Sequence, residues 1–348
     1  MEKKIAVLGA GAIGSSVSAD LIRAGLNVTV IDQWPAHVEA MKAGGLHVKL
    51  KDGDLHFPVR ALHLCDLASA RLEFDIVLLA AKSNDARWMA EFIKPYLKRD
   101  GVLVGVQNGM NDDAIAAIVG RNRALGCVVE LQAELFTPGL IQRNTTHQGT
   151  WFAVGELDGA YTPRVREIAD IMGNVGRCDV TNNIYGAKWT KLIANTMTMG
   201  PFGLLGLRNF EAAALHGMFD ISVKLGKESF AVGAALGYRV EPVFGLRADE
   251  FAGSSDENLV TAMQTLMSHV GGGRTAPIHD HIKGRRSEIE FISGLVAKQG
   301  RELGIATPFN DAVTEIDRRI NSGEIRMDLS NYERLKALIV TRQQSADG

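Results

Sequence analysis

The chain has 348 residues, 46% hydrophobic and 22% charged, with 38 Lys and Arg against 40 Asp and Glu. That length suits about two domains and a core that needs no disulfide or metal staple, and the composition excludes a disordered or collagenous chain. The near-neutral charge argues against nucleic acid or an anionic membrane surface as the main partner. Cys65, Cys127 and Cys178 are far apart and form no CxxC. They suit a reducing cytoplasm better than a disulfide framework. No apolar run reaches membrane-spanning length, and Met1-Glu2-Lys3-Lys4 leads into a strand without a signal-peptide core. Glycine is abundant, 37 residues with only 9 prolines, which points to tight turns or close backbone approaches to a ligand.

Lys4–Leu8 (KIAVL) predicts a buried parallel strand. The loop Gly9–Gly14 follows, then a helix through about Ala24, with Gly25 where a C-terminal capping glycine belongs. Asn27–Ile31 predicts the second strand. Phe74–Ala80 predicts another, followed by a helix through about Leu97, and Val102–Val106 a further strand ending at Gln107-Asn108-Gly109. Asp112–Val119 reads as a helix and Leu125–Val129 as a strand. Gly139–Asn144 and Thr150–Val154 predict an antiparallel pair joined by the polar turn Thr145–Gly149. A helix near Arg164–Met172 and a strand at Arg177–Val180 complete this half. Strands alternating with helices imply an open, mostly parallel sheet.

From Asn183 onward strand signal is nearly absent. Tyr185–Met199, Glu211–Leu236, Asp256–Val270, Ile278–Leu303 and Asn310–Asn321 all read as helices. The predicted class is therefore α/β: an N-terminal Rossmann-type doubly wound sheet over residues 1–183, then an all-helical domain over residues 184–348. Gly271-Gly272-Gly273 reads as a flexible loop or a helix-terminating linker, and Gln343–Gly348 as a frayed tail. Apolar faces on the later helices can support a homodimer, which the sequence does not decide.

Gly9-Ala10-Gly11-Ala12-Ile13-Gly14 is a GxGxxG run between a predicted strand and a predicted helix, the context a dinucleotide-binding loop requires. Gly9 permits the tight turn, Gly11 the approach of a diphosphate and Gly14 close helix–strand packing. Asp32 closes the second strand where a carboxylate accepts the adenosine ribose hydroxyls and repels a 2′-phosphate. Gln33 and Trp34 follow it with no adjacent Arg, so NAD(H) is favoured over NADP(H). The bland alternative is that Asp32 caps the next helix. Lys82 fits either the adenosine end of the cofactor or open solvent.

In the second half, Lys191 and Asn195 are four residues apart on one helical face. Lys191 can protonate a carbonyl oxygen and Asn195 can orient a substrate; a solvated face fits the same spacing. Within Ile278–Leu303, the residues Ile278, Ile282, Ile289, Ile292 and Val296 form a stripe, with Glu288 at its edge beside His281 and Gly284. A carboxylate there can hold a substrate hydroxyl or a lysine, or pair with Arg285 or Arg286. His279 and His281 lack a third candidate ligand, so no metal is expected.

Four motifs together resemble the ketopantoate reductase (2-dehydropantoate 2-reductase) family across nearly the whole chain. They are the loop Gly9–Gly14, Gln107-Asn108-Gly109-Met110, Trp189-Thr190-Lys191-Leu192 with Asn195, and Gly284–Glu290 followed by Ile292-Ser293-Gly294. The resemblance implies reduction of a 2-oxo acid to a 2-hydroxy acid with NADPH, in contrast to the NAD(H) preference read from Asp32. It implies Asn108 near the nicotinamide, Lys191 as catalytic lysine, Asn195 as a substrate ligand and Glu288 as the active-site acid. The sequence departs from the family at three places. Met199 stands where a second Asn is usual. Ala276, with Thr275 adjacent, stands where a Ser contacts the substrate carboxylate. Gln33 stands where an Arg meets the 2′-phosphate. The expected protein is a 2-dehydropantoate 2-reductase or a close relative with a different substrate, its partner a small 2-oxo or 2-hydroxy acid, ketopantoate or another. Alternatives are a 3-hydroxy acid or opine dehydrogenase, or a non-catalytic NAD-binding regulator.

Overall fold

The structure, a computed structural model, describes residues 2–242, 256–270 and 272–346. The chain divides into two compact units, Met1–Tyr185 and Gly186–Gly348.

The first unit begins with β1 (Lys4–Leu8), α1 (Ala12–Arg23), β2 (Asn27–Asp32) and α2 (Pro35–Gly44). Three short strands follow, β3 (Leu46–Lys49), β4 (Asp54–Phe57) and β5 (Arg60–His63), then α3 (Leu64–Ser69). Next come β6 (Phe74–Leu79), α4 (Ser83–Ile93), β7 (Leu97–Val106) and α5 (Asp112–Val119). The unit continues through β8 (Ala124–Glu130), β9 (Ala133–Thr137), β10 (Leu140–Arg143), β11 (Trp151–Glu156), α6 (Pro163–Met172) and β12 (Arg177–Val180). The main sheet has the order β12-β11-β8-β7-β6-β1-β2-β5. Strands β5 to β8 of that order run parallel, with Val7 opposite both Val30 and Leu78. β11 runs antiparallel to β8, and β12 parallel to β11. Ile5–Leu8 and Ile76–Leu79 are buried on both faces, as parallel strands under helices must be. The winding reverses between β1 and β6, which is the switch point where open α/β sheets bind ligands at their strand C-terminal ends.

The expected pairing of Gly139–Asn144 with Thr150–Val154 does not form. β10 joins a second sheet, β4-β3-β10-β9, while β11 joins the main one. Hydroxyl-centred bonds shape the connection between them. Thr146 Oγ1 accepts the Gly149 N–H, and Thr150 Oγ1 donates to the Thr146 carbonyl, turning the chain between sheets. The small sheet covers α1, and the buried Arg143 of β10 pairs with Asp20 of α1.

The second unit carries α7 (Ile184–Gly203, which starts two residues before the unit boundary), α8 (Asn209–Ala213), α9 (Met218–Ala235) and α10 (Asp256–Val270). α11 (Ala276–Ile282), α12 (Ser293–Leu303), α13 (Pro308–Asn321) and α14 (Asn331–Ala346) complete it. Its described residues contain no strand. Three expectations are corrected. The helix foreseen over Glu211–Leu236 is broken between α8 and α9, where Gly217 has φ +85°. The helix foreseen over Ile278–Leu303 stops at Ile282: the Arg285 N–H bonds the Asp280 carbonyl and the Gly284 N–H bonds the His281 carbonyl. That is a Schellman ending with Gly284, at φ +65°, in its left-handed position. Glu288 therefore lies in the connection between α11 and α12, and Ile282 of the supposed core stripe is 52% exposed. The supposed tail from Gln343 continues α14 as far as Ala346. Gly271 lies outside the described residues, while the Gly273 carbonyl accepts the Asn209 N–H.

Candidate functional site

In the first unit, four predicted site positions follow the C-terminal ends of adjacent strands: the glycine loop after β1, Asp32 at the end of β2, Lys82 after β6 and Asn108 after β7. Each glycine of the loop answers a different constraint. Gly9 has φ +93°, and a Cβ there would lie 2.7 Å from the Ala81 nitrogen. A Cβ on Gly14 would collide with the Gly9 carbonyl oxygen. Gly11 differs: its φ is −64°, and a Cβ on it would meet nothing within 4 Å. The fold does not require glycine at position 11, whereas close approach of a ligand to the backbone would. Gly11 is also the N-cap of α1, whose first turn has no side-chain cap and no acidic residue. A 12-residue helix with bare N–H groups at that end favours an anion such as a diphosphate. The loop residues Ala10, Ala12 and Ile13 are buried or half-buried, so the loop meets a ligand mainly through its backbone.

Asp32 Oδ1 accepts the Trp34 N–H at 2.7 Å and closes the turn ahead of α2, but the N-cap of that helix is Trp34 and no side chain caps it. Beside it, Gln33 Nε2 donates to Asp85 Oδ2 at 3.2 Å, which adds a second carboxylate next to the end of β2. Lys82 is the N-cap residue of α4 and half-buried. The Asn108 carbonyl accepts from Ser83 Oγ at 3.3 Å and Asn111 Nδ2 at 3.0 Å, and Asn111 also donates to Ser83. Gln107 Nε2 donates to the Ala81 carbonyl. Ser83, Gln107 and Asn111 thus fix the loops after β6 and β7. Their polar types flanking the strand ends were the available sequence signal.

In the second unit, Lys191, Asn195 and Met199 recur every four residues along α7 and share one face. Lys191 is half-buried, Asn195 is 4% exposed and Met199 8%. The far end of α7 packs on the segment bearing the other candidates. A Cβ on Gly203 would lie 2.8 Å from Pro277, and one on Gly200 would lie 3.0 Å from Ser293 Oγ. Thr275 is the N-cap of α11, yet its buried hydroxyl caps nothing and finds no hydrogen-bond partner. Ala276 opens α11 beside it. Ser293 Oγ is likewise buried without a partner. Such hydroxyls are costly unless something else satisfies them.

Glu288 is 4% exposed, held in its connection by a network that sequence reading missed. Ser287 Oγ donates to both carboxylate oxygens of Asp317, His281 Nε2 lies 3.1 Å from Oδ1, and Asn321 Nδ2 donates to Oδ2 at 2.7 Å. The Ile289 N–H bonds Ser287 Oγ. The backbone on both sides of Glu288 is therefore tied to α13. His281 is a partner of Asp317, and no group of three or more metal-binding side chains occurs among the described residues.

Comparison with known proteins accounts for both units. The ketopantoate reductase PanE/ApbA family signature matches residues 5–158, and the family's C-terminal signature matches residues 183–321. A 2-dehydropantoate 2-reductase of Mesorhizobium japonicum is 29% identical over 341 residues, covering 91% of this chain and 97% of its own. A PanE/ApbA family ketopantoate reductase from Ralstonia eutropha superposes with a TM-score of 0.78 at 25% identity, over 92% of this chain and 99% of that one. A D-mandelate dehydrogenase solved with NADH and anilino(oxo)acetate shares the fold, with a TM-score of 0.81 at 21% identity over 92% and 99%. With its glycine loop, its lysine helix and both family signatures in place, the chain belongs to the ketopantoate reductase family of NAD(P)-dependent oxidoreductases.

Proposed function

We propose that the protein is an NADH-preferring 2-oxo acid reductase whose substrate has a more apolar side chain than ketopantoate. The observation that carries the substrate reading is Met199. It is buried on the α7 face shared by Lys191 and Asn195, where the family pattern has a second amide. A thioether is only a weak acceptor and has no donor, so it holds the side-chain hydroxyl of ketopantoate far less well than an amide, and the site selects less for it. In this reading residues 1–183 are the dinucleotide-binding domain and residues 184–348 the substrate domain. Gly9–Gly14, Asp32, Lys82 and Asn108 hold the cofactor.

A bound reduced nicotinamide supplies hydride to C2 of the substrate. As negative charge develops on the carbonyl oxygen, Lys191 stabilises it and delivers the proton. Asn195 and Glu288 hold the hydroxyl that forms. Thr275 Oγ1, buried and without a protein partner, donates to the substrate carboxylate, and the small Ala276 leaves room for it. For the cofactor, Asp32 and the neighbouring Asp85 together disfavour a 2′-phosphate.

The test is a panel of 2-oxo acids with NADH and with NADPH. The expected result is fastest NADH oxidation with a 2-oxo acid of apolar side chain. Ketopantoate with NADPH outrunning every other pair would overturn the reading.

A further inference from the structure

The glycine loop is tied to an element far from it in sequence by a chain of buried hydrogen bonds. The Gly139 N–H, in the turn between β9 and β10, lies 2.8 Å from His37 Nδ1. A backbone N–H only donates, so Nδ1 carries no proton and the ring hydrogen sits on Nε2. His37 Nε2 lies 3.2 Å from Ser15 Oγ, and Ser15 Oγ lies 2.9 Å from the Ala10 carbonyl oxygen. That carbonyl can only accept. The serine hydrogen therefore goes to Ala10, and the serine oxygen receives the hydrogen of Nε2. Each link thus has a donor and an acceptor, and the chain runs from Gly139 through His37 and Ser15 to Ala10. His37, Ser15 and Ala10 are each 0% exposed, so water does not compete for any link.

The consequence falls on the next peptide group. A peptide is planar and trans, so its C=O and N–H point in opposite directions. With the Ala10 carbonyl drawn inward to Ser15, the Gly11 N–H is turned outward, away from α1's core face. Gly11 is the loop residue whose Cβ would meet only open space. Without the tether, a peptide ahead of a glycine reorients easily.

We propose that His37 and Ser15 are positioning residues that hold the Gly11 N–H in the orientation that receives the cofactor diphosphate. Neither need touch the cofactor, and the work is done through the Ala10 carbonyl. The inference rests on the glycine loop being the cofactor site, and the experiment separates the two claims.

NADH and ADP binding to the full-length protein are measured by calorimetry for Ser15→Ala, His37→Ala and the double variant, alongside Tm. Cutting either link weakens both ligands by about tenfold. Because the two residues act in series, the double variant weakens binding no further than either single change. Ser15→Thr keeps the hydroxyl and keeps near-native affinity, which covers the case in which Ser15→Ala folds poorly. Unchanged affinities with a lowered Tm, losses that multiply in the double variant, or a Ser15→Thr as weak as Ser15→Ala overturn the relay. Gly11→Asp is the control, because its side chain enters open space and sets a carboxylate where the diphosphate would bind. If Gly11→Asp leaves NADH affinity intact, the loop is not the cofactor site and the relay falls with it. If Gly11→Asp abolishes binding while Ser15→Ala does not change it, the relay alone falls.

Discussion

Ser287 Oγ lies 2.7 and 2.8 Å from the two carboxylate oxygens of Asp317, thirty residues further along the chain. Ser287 immediately precedes Glu288, so this bond sets where the acidic side chain begins. Asp317 is 1% exposed and also takes bonds from His281 and Asn321. Asp317→Ala leaves these donors unsatisfied in the interior and should cost about 3 kcal/mol, read from denaturant melts. Ser287→Ala removes one donor and should cost roughly 1–2 kcal/mol, since His281 and Asn321 remain to hold Asp317. In both variants kcat should fall further than the stability loss explains, because the Glu288 backbone is released. A kcat equal to that of the unaltered enzyme, measured well below Tm, would argue that the network serves folding alone.

Lys191 is half-buried on α7 and is not among the fully buried core side chains. Lys191→Ala should lower kcat by about 10²–10⁴-fold, the range for a positioned proton donor, with Tm nearly unchanged. Steady-state kinetics with the best substrate from the 2-oxo acid panel decide it. A loss confined to KM would mean that Lys191 only helps bind the substrate.

The parts of the candidate site legible in the sequence are those whose physics is local. Gly9, Gly11 and Gly14 speak through a six-residue turn, and Lys191 with Asn195 through one turn of helix. Glu288 was found by motif, but its surroundings were misread. The apolar period runs on from Ile278 to Val296, while Gly284 ends the first helix and discards the phase between them. The glycine itself, followed by Arg285 and Arg286, was the signal against a continuous helix. The small sheet was missed for a different reason. Its strands are four or five residues long, and β10 finds its parallel partner β3 from a distant part of the chain, which no local pattern encodes. Likewise nothing near Ser287 announces Asp317, and nothing near Ala10 announces His37.

Asp32 closes a turn, and the cofactor role proposed for it can be separated from that one by a careful substitution. Its Oδ1 accepts the Trp34 N–H, so Asp32→Ala would also loosen the entry to α2. Asp32→Asn keeps an acceptor for that bond and removes only the charge. The variant should shift the NADPH-to-NADH affinity ratio toward NADPH by about tenfold, since one carboxylate no longer faces the 2′-phosphate. Replacing Asp85 with Asn in the same background should add to the shift. Calorimetric titration with both cofactors checks it, and a ratio unchanged in the double variant would remove the basis for the NADH preference.

Glu228 on α9 gives the fold a pH dependence of predictable sign. Its carboxylate oxygens accept the Phe309 and Asn310 N–H groups at 2.9 Å and Asn310 Nδ2 at 2.8 Å, closing the first turn of α13. Burial nevertheless outweighs those donors and pushes its pKa up from 4.5 to about 7. A carboxyl whose pKa is raised on folding is one the native state prefers protonated. Its stabilising contribution is therefore complete below pH 4.5 and is lost as pH rises through about 7. A shift of this size corresponds to roughly 3 kcal/mol across that window. Glu228→Gln cannot titrate, so the stability of the unaltered protein minus that of the variant isolates the effect from every other ionisable group. That difference should decline between pH 4.5 and 8, by up to about 3 kcal/mol, and stay flat outside the window. Denaturant melts at closely spaced pH values measure it. A difference that instead grows with pH would show that the three donors at the start of α13 outweigh burial, and that Glu228 is held as a carboxylate throughout.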